Sequence, residues 1–219
     1  SVLRRLRCVQ VDPLDVTGRN VHLVMQSRVH GFRPADLDDL VHRTNEVVEA
    51  WDKVRSLVPA DEWPHLAPYR ESVRAHHEQA GNPPADVLDY VRAEVASRGR
   101  ISSIDLEDRG TADWRWAPAR AVRAALELLF DIGEIGIADR VNGRKVYAPM
   151  PTLLGADLAS TPPHPTRAEY HAWHVLKRIN AVGLAADRAG AVWLGIHDLK
   201  TPERRTAIGT LRDEGALVE

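Results

Sequence analysis

The sequence predicts a mainly α-helical fold with small β-hairpins, and three observations support it. Amphipathic helix patterns end at glycines, the dipeptide Asn142-Gly143 lies between two short strand patterns, and one helix-to-strand pattern occurs twice. The chain has 219 residues, of which 44% are hydrophobic and 27% are charged. This is enough for one large domain or two small ones with a packed core.

The clearest unit is predicted over residues 83–149, and it begins with an amphipathic helix over 85–97. The segment Ser102-Ser103-Ile104-Asp105 is typical of an N-cap and predicts a short second helix. A third helix is predicted from Pro118, and a strand, a tight turn and a second strand follow over 134–147. The apolar face of the third helix consists of Val122, Ala125, Leu126, Leu129 and Phe130. Three helices and a hairpin form the plan of the winged helix, a helix-turn-helix variant.

The same plan is predicted to repeat further along the chain. Thr166 and Glu169 have the spacing of a capping box, and Thr201-Pro202 opens another helix. Residues 123–135 resemble residues 205–217, since both segments describe a helix that ends in glycine and enters a strand. The residues expected to face inward in these two helices are Ala172, Trp173, Leu176, Ile179, Ala207, Ile208 and Leu211.

We therefore expect tandem winged-helix units. Residues 1–82 are an incomplete N-terminal unit, 83–149 a complete unit, 150–165 a proline-rich linker, and 166–219 the start of a further unit. Because the second copy stops where its hairpin should begin, we expect the chain to be part of a longer protein. The alternative is a naturally short protein whose last strand pairs elsewhere.

Composition argues against a membrane, disulfide or metal protein. The mean hydropathy is −0.32, and no apolar run approaches the length of a membrane span, about 18 residues. The Arg-rich start is unlike a secretory signal, and the single Cys8 excludes an internal disulfide or a cysteine-built zinc site. His171 and His174 have helical spacing but no third ligand. We expect a cytoplasmic protein without a metal or another cofactor.

The distribution of charge favours contact with phosphates, although the formal net charge is only −2. Residues 1–33 are basic and residues 36–52 are acidic. In winged helices the third helix enters the major groove and the hairpin touches the backbone. The candidate DNA-binding residues of this unit are Arg115, Arg120, Arg123, Arg144 and Lys145. Winged helices also serve as protein-contact modules, and Trp114 and Trp116 are expected to pack in the core rather than stack on bases.

A short segment near the N-terminus alternates like a buried strand that a proline ends, Cys8-Val9-Gln10-Val11-Asp12-Pro13. Gln10 and Asp12 are two residues apart and would share one face of that strand. From the pattern alone, the favoured interpretation is a solvated glutamine and an aspartate that starts a turn.

Resemblance to a known family changes this interpretation. Gln10-Val11-Asp12, together with residues 16–23 and 27–29, resembles the AlkZ/YcaQ family of winged-helix DNA glycosylases. Further matching segments are Trp51, Leu57-Val58-Pro59, Trp63-Pro64, Asp105-Leu106-Glu107-Asp108 and the helix from Trp116-Ala117-Pro118 to Phe130. The resemblance spans nearly the whole chain but lacks the family's opening helix and much of its C-terminal half. Members of that family remove alkylated bases from DNA, including interstrand crosslinks.

The resemblance places the family's catalytic signature (Gln, an apolar residue, then Gln or Asp) on Gln10 and Asp12. A purine alkylated at N7 leaves readily, so the resemblance implies hydrolysis without a cofactor through an oxocarbenium-like sugar. Asp12 would stabilise that cation or take a proton from the attacking water, which Gln10 would hold. Arg19 matches a family arginine that would bind a phosphate, and a structural pairing with Asp12 or Asp15 is the equal alternative. His22 is a further candidate for DNA contact.

Two departures from the family leave the activity open. Many members have Ala-His-His where this chain has Asn20-Val21-His22, and Trp-Ala-His where it has Trp51-Asp52-Lys53. Lys53 is either a substituted functional group or part of a surface ion pair with Asp52, and we expect the ion pair. The first hypothesis is a monofunctional glycosylase that acts on alkylated or crosslinked purines in double-stranded DNA. The alternatives are a non-catalytic winged-helix DNA-binding protein (a regulator or a repair accessory) and a protein-contact module. The oligomeric state is not predicted.

Overall fold

Helices dominate the structure, a computed structural model that describes residues 2–12, 18–114, 117–160 and 164–218. The α-helices are α1 (Val2–Leu6), α2 (Asn20–Gln26), α3 (Pro34–Asp38), α4 (Ala67–Ala80), α5 (Ala85–Arg98), α6 (Ala121–Asp131), α7 (Met150–Leu154), α8 (Ala156–Ser160), α9 (Arg167–Val182) and α10 (Thr201–Asp213). The strands are β1 (Val9–Gln10), β2 (Val47–Trp51), β3 (Arg55–Pro59), β4 (Ile101–Ser102), β5 (Thr111–Ala112), β6 (Ala119–Arg120), β7 (Ile135–Val141) and β8 (Arg144–Pro149). The expectation of a mainly α-helical fold with small β-hairpins is confirmed.

Three small sheets accompany the helices, with strand orders β1-β3-β2, β4-β8-β7 and β5-β6. The chain divides into two units. Unit 1 comprises residues 1–37, 49–66 and 162–219, and unit 2 comprises residues 38–48 and 67–161. Among the described residues, no helix is long and apolar enough to cross a membrane.

Unit 1 contains the helix pair α9 and α10, and its capping box is as predicted. The Thr166 hydroxyl accepts a hydrogen bond from the Glu169 N–H at 3.3 Å, and the Glu169 carboxylate accepts one from the Thr166 N–H at 3.0 Å. The two helices enclose a core of Tyr170, Val175, Trp193, Ile196, Ala207 and Leu211. The predicted inward residues Ala172, Trp173, Leu176, Ile179 and Ile208 pack at the edge of this core and are only partly buried.

Unit 2 contains two of the three predicted helices, α5 and α6, and the predicted hairpin of β7 and β8. The buried residues of α5 are Val87, Leu88, Val91 and Val95. The predicted apolar face of α6 is buried throughout. The hairpin of β7 and β8 turns at Asn142 and Gly143, whose φ angles of 51° and 78° are those of a type I′ turn. These local predictions are confirmed. The predicted linker, 150–165, carries α7 and α8.

The predicted short second helix of this unit is wrong. The Asp105 carboxylate accepts a hydrogen bond from the Ser102 N–H at 2.7 Å and closes a turn instead of starting a helix. Between residues 103 and 110 only Leu106 is buried, so a helix there would have no apolar face to pack. The third helix also begins at Ala121 rather than Pro118, because Ala119 and Arg120 pair with β5.

The ends of α6 and α10 have the same geometry, and the expected repeat of winged-helix units stays a prediction. After α6, the Glu134 N–H bonds to the Leu129 carbonyl at 2.9 Å, and Gly133 has a φ of 79°. After α10, the Ala216 N–H bonds to the Leu211 carbonyl at 2.8 Å, and Gly215 has a φ of 71°. Both are Schellman caps, in which glycine adopts the left-handed conformation at no steric cost.

Candidate functional site

The Gln-Val-Asp segment begins at Gln10, the last residue of β1, which is an edge strand of the sheet with order β1-β3-β2. Gln10 lies opposite Ser56 on β3, and the Val11 N–H continues the ladder by donating to the Arg55 carbonyl at 2.9 Å. Gln10 is exposed and Asp12 is half-buried. Pro13, predicted to end the strand, lies outside the described residues. The segment is therefore fixed along its backbone at a position that solvent reaches.

Helix α2 lies beside the end of β1. Asn20, its first residue, donates a side-chain hydrogen bond to the Gln10 carbonyl at 2.9 Å. Arg19 immediately precedes the helix, and His22 lies in its first turn, with its ring 6.2 Å from the ring of Phe32. Arg19 and His22 are both half-buried. The structure thus brings α2 and the Gln-Val-Asp segment together, and their roles in DNA contact stay predictions.

Sequence reasoning missed a buried ionic cluster in the same unit, formed by Asp52, His174, Lys177, Arg178 and Glu62. The Asp52 carboxylate contacts His174 Nε2 at 3.0 Å, Lys177 Nζ at 2.6 Å and the Arg178 guanidinium. Lys177 also lies 2.8 Å from the Glu62 carboxylate. The side chains of Asp52 and His174 are 0% exposed. The expected surface pair of Asp52 and Lys53 is therefore wrong, because Lys53 is exposed and Asp52 is not.

Within this cluster Asp52 is ionised and His174 is neutral. Burial would raise the pKa of Asp52, but the His174 hydrogen bond and the cations Lys177 and Arg178 hold it well below its usual range. Burial lowers the pKa of His174 to about 4 despite its contact with Asp52, so the imidazole is neutral at pH 7. Neutral imidazole has one N–H, which Nε2 donates to Asp52, and Nδ1 accepts from the Tyr170 hydroxyl at 3.1 Å. Burial raises the pKa of Tyr170 to about 12, which keeps this hydroxyl protonated.

The ionic cluster also reaches the start of β1. The Arg178 guanidinium lies 3.7 Å from Cys8 Sγ, two residues before Gln10. Burial, together with the charge of Asp52, raises the pKa of Cys8, so this side chain is a thiol rather than a thiolate at neutral pH. Strand β1 is therefore held by its ladder with β3, by Asn20 and by the contact of Cys8 with α9.

Metal binding finds no support in the part of the chain that the structure describes, where no group of three or more His, Cys, Asp or Glu side chains could hold an ion. His171 hydrogen-bonds to the His197 carbonyl at 3.0 Å. His174 is occupied by Asp52 and Tyr170. Both His171 and His174 are therefore hydrogen-bonded to other residues of the protein.

The other candidate DNA-binding residues lie in unit 2. Arg120 donates to the backbone carbonyls of Ser103 and Leu106, at 3.1 and 3.2 Å, and so holds the loop before α6. Arg123 on α6 has a side chain that is 65% exposed. Arg144 is exposed at the tip of the β7–β8 hairpin. Arg115 lies outside the described residues.

One carboxylate lies between α6 and the hairpin strand β8. Glu127 Oε1 is 3.5 Å from Arg123 Nε and 3.8 Å from Lys145 Nζ. Glu127 Oε2 accepts a hydrogen bond from the indole N–H of Trp114 at 2.8 Å. The structure therefore brings two of the candidate DNA-binding residues to one acidic side chain that the sequence analysis did not single out.

The fold agrees with that of a solved DNA glycosylase. Among solved structures, the chain is similar to Streptomyces sahachiroi DNA glycosylase AlkZ, with a TM-score of 0.64 and 17% sequence identity. The match covers 97% of this chain and 59% of that chain, so this chain spans less than two thirds of its length. At that identity, the likeness shows the fold.

The family is shown by a separate comparison. The family model described as DNA glycosylase AlkZ-like matches residues 3–219, and the chain therefore belongs to the AlkZ-like DNA glycosylase family. The resemblance drawn from the Gln-Val-Asp segment and its surroundings is thereby confirmed.

Proposed function

We propose that this chain hydrolyses the N-glycosidic bond of alkylated or crosslinked purines in duplex DNA, with Gln10 and Asp12 as its catalytic residues. The observation that carries the proposal is the position of Gln10-Val11-Asp12 at the end of the edge strand β1. There the backbone is paired while Gln10 is exposed. Membership of the AlkZ-like DNA glycosylase family supports the reaction class.

The proposed chemistry needs a carboxylate, an amide and a positively charged leaving base. An N7-alkylated purine departs as a neutral molecule when its glycosidic bond breaks, and the sugar passes through an oxocarbenium-like state. Asp12 stabilises that cation and takes a proton from the incoming water, which the Gln10 amide orients. Arg19 and His22, beside this segment on α2, contact the phosphates that flank the lesion. No step requires a cofactor.

The duplex is held, in this proposal, by tandem winged-helix units. Residues 83–149 form the complete unit, with 1–82 and 166–219 as partial ones. The sheet order β4-β8-β7 and the helices α5 and α6 support this assignment, because a winged helix places its third helix beside such a hairpin. Arg123, Arg144 and Lys145 are the phosphate contacts of this unit.

Base release from duplex DNA that contains N7-alkylguanine tests the proposal. The Asp12→Asn variant is expected to lose about 10²- to 10⁴-fold in rate while it still binds the duplex, because only the catalytic charge is removed. Asp61→Asn is the matched control, since Asp61 is an exposed carboxylate of the same unit that pairs with Arg4. Equal release by parent, control and Asp12→Asn would exclude Asp12 as a catalytic residue.

A second candidate function is duplex binding without catalysis, as in a regulator or a repair accessory. The observation in its favour is the segment 51–53, where Asp52 is sealed in the ionic cluster and Lys53 stands in place of the family's histidine. Duplex binding without base release by the parent, under conditions in which the Asp12→Asn variant binds equally well, would establish this alternative.

A further inference from the structure

The carboxylate of Glu127 connects α6, β8 and the residue Trp114. Its side chain is 13% exposed, whereas that of Arg123 is 65% exposed and that of Lys145 is 20% exposed. Glu127 is thus the least accessible member of a patch that also contains two cations. A nearly buried carboxylate among candidate phosphate-binding cations requires an explanation, because it opposes their attraction for DNA.

The two oxygens of Glu127 have different partners. Oε2 accepts a hydrogen bond from the Trp114 indole N–H at 2.8 Å. A hydrogen bond of this length to a charged acceptor is strong. Oε1 lies 3.5 Å from Arg123 and 3.8 Å from Lys145, beyond the usual length of a charge-assisted hydrogen bond. One oxygen therefore anchors the indole firmly, and the other holds both cations loosely.

We propose that Glu127 is a positioning residue that gathers Trp114, Arg123 and Lys145 into one duplex-contacting patch and limits its affinity for phosphate. A DNA phosphate displaces Oε1 from Arg123 and Lys145, while Oε2 keeps the indole in place. The patch is then assembled before DNA arrives, and the residual negative charge weakens binding that is independent of sequence. This inference rests on the proposed duplex binding but not on catalysis by Gln10 and Asp12.

The Glu127→Gln variant tests the roles of the two carboxylate oxygens separately. Its amide oxygen still accepts the Trp114 hydrogen bond, but the negative charge beside Arg123 and Lys145 is gone. We expect tighter binding to an undamaged duplex and a salt dependence steeper by about 0.9, the value for one additional phosphate contact. Between 50 and 200 mM salt, the ratio of variant to parent affinity should therefore fall by about 3.5-fold.

A matched control and a double-variant comparison test whether the effect passes through the two cations. Asp89→Asn removes one charge from the same unit at a residue that is paired with Arg92 on α5, and it should leave the salt slope unchanged. In a chain that carries Arg123→Gln and Lys145→Met, Glu127→Gln should no longer alter the slope. If glutamine prevents folding, Glu127→Met removes the same charge but also the Trp114 hydrogen bond, so it should steepen the slope by less than about 0.9.

The outcomes distinguish this inference from the proposed glycosylase function. If the parent binds duplex DNA and Glu127→Gln leaves the salt dependence of binding unchanged, this inference is wrong and the proposed glycosylase function is unaffected. An equal change with Asp89→Asn would overturn it as well, because the effect would then reflect net charge. A parent without any duplex binding would overturn both the inference and the proposed function, whereas lost base release with intact binding concerns Gln10 and Asp12 only.

Discussion

Replacing Asp52 by asparagine should destabilise unit 1 by about 3 kcal/mol. The variant leaves Arg178 and Lys177 buried without the carboxylate that contacts both of them. Loss of one partner from a buried ion pair typically costs about 3–5 kcal/mol, because the remaining charge has lost its solvation and its counter-charge. We expect the lower end of this range, since Lys177 keeps Glu62 at 2.8 Å and Arg178 keeps the Leu194 carbonyl at 3.0 Å.

Urea unfolding followed by tryptophan fluorescence measures this effect. Four of the six tryptophans, Trp51, Trp63, Trp173 and Trp193, belong to unit 1, so the signal reports chiefly on the unit that contains Asp52. With a urea dependence of about 1–3 kcal/mol per molar, the midpoint should fall by about 1–3 M. An unchanged slope of the transition would show that stability rather than the unfolded state has changed.

Two comparisons make the Asp52 prediction refutable. Asp61→Asn removes an exposed carboxylate whose pair with Arg4 is open to solvent, and it should cost less than about 1 kcal/mol. Adding Lys177→Met to Asp52→Asn should recover part of the loss, because one buried cation is then gone while Glu62 keeps Arg7 at 2.8 Å. A loss below about 1 kcal/mol for Asp52→Asn would mean that the cluster does not hold this unit together.

Three further predictions concern the stability of unit 1. The pKa of His174 is about 4 in the folded protein, below the 6.5 of the free side chain, so its contribution to stability is complete above pH 6.5. The free energy of unfolding should fall by about 3 kcal/mol between pH 6.5 and pH 4, as urea midpoints at several pH values would show. Thr166→Ala removes the capping box of α9 and should lower the free energy of unfolding by about 1 kcal/mol in the same assay. Gly195→Ala should prevent unit 1 from folding, so that no cooperative unfolding transition is seen. Gly195 has a φ of 80°, and an added Cβ would clash with the Asp52 carbonyl and lie 2.5 Å from Lys53 Cα. Midpoints independent of pH, or an alanine variant at residue 195 with parental stability, would contradict these expectations.

Features set by neighbouring residues could be predicted from the sequence. The capping box of Thr166 and Glu169, the Asn142-Gly143 turn and the apolar face of α6 each depend on residues within a few positions of one another. Ser102 and Asp105 also have the spacing typical of a helix N-cap, but the hydrogen bond between them closes an isolated turn. A cap predicts a helix only where an apolar face follows, and that face is absent after Asp105 in the described residues.

The ionic cluster could not be predicted in the same way, because Asp52 lies more than a hundred positions from its partners on α9. Charged residues are rarely buried, which made a surface pair of Asp52 and Lys53 the natural expectation. One signal was nevertheless present. Tyr170, His174, Lys177 and Arg178 recur at i, i+4, i+7 and i+8, the spacing of a buried helix face with polar residues in apolar positions.

The cluster also bears on how the chain departs from its family at 51–53. The family resemblance leads us to expect alanine where this chain has Asp52, and here the aspartate contacts three polar partners on α9. A carboxylate in that position is tolerable only because those partners neutralise and hydrogen-bond it, so the two sets of residues depend on each other. The Asp52 carboxylate is therefore held by structural partners on α9. Because Arg178 of the same cluster touches Cys8, two residues before Gln10, the cluster stabilises the strand on which the proposed chemistry depends.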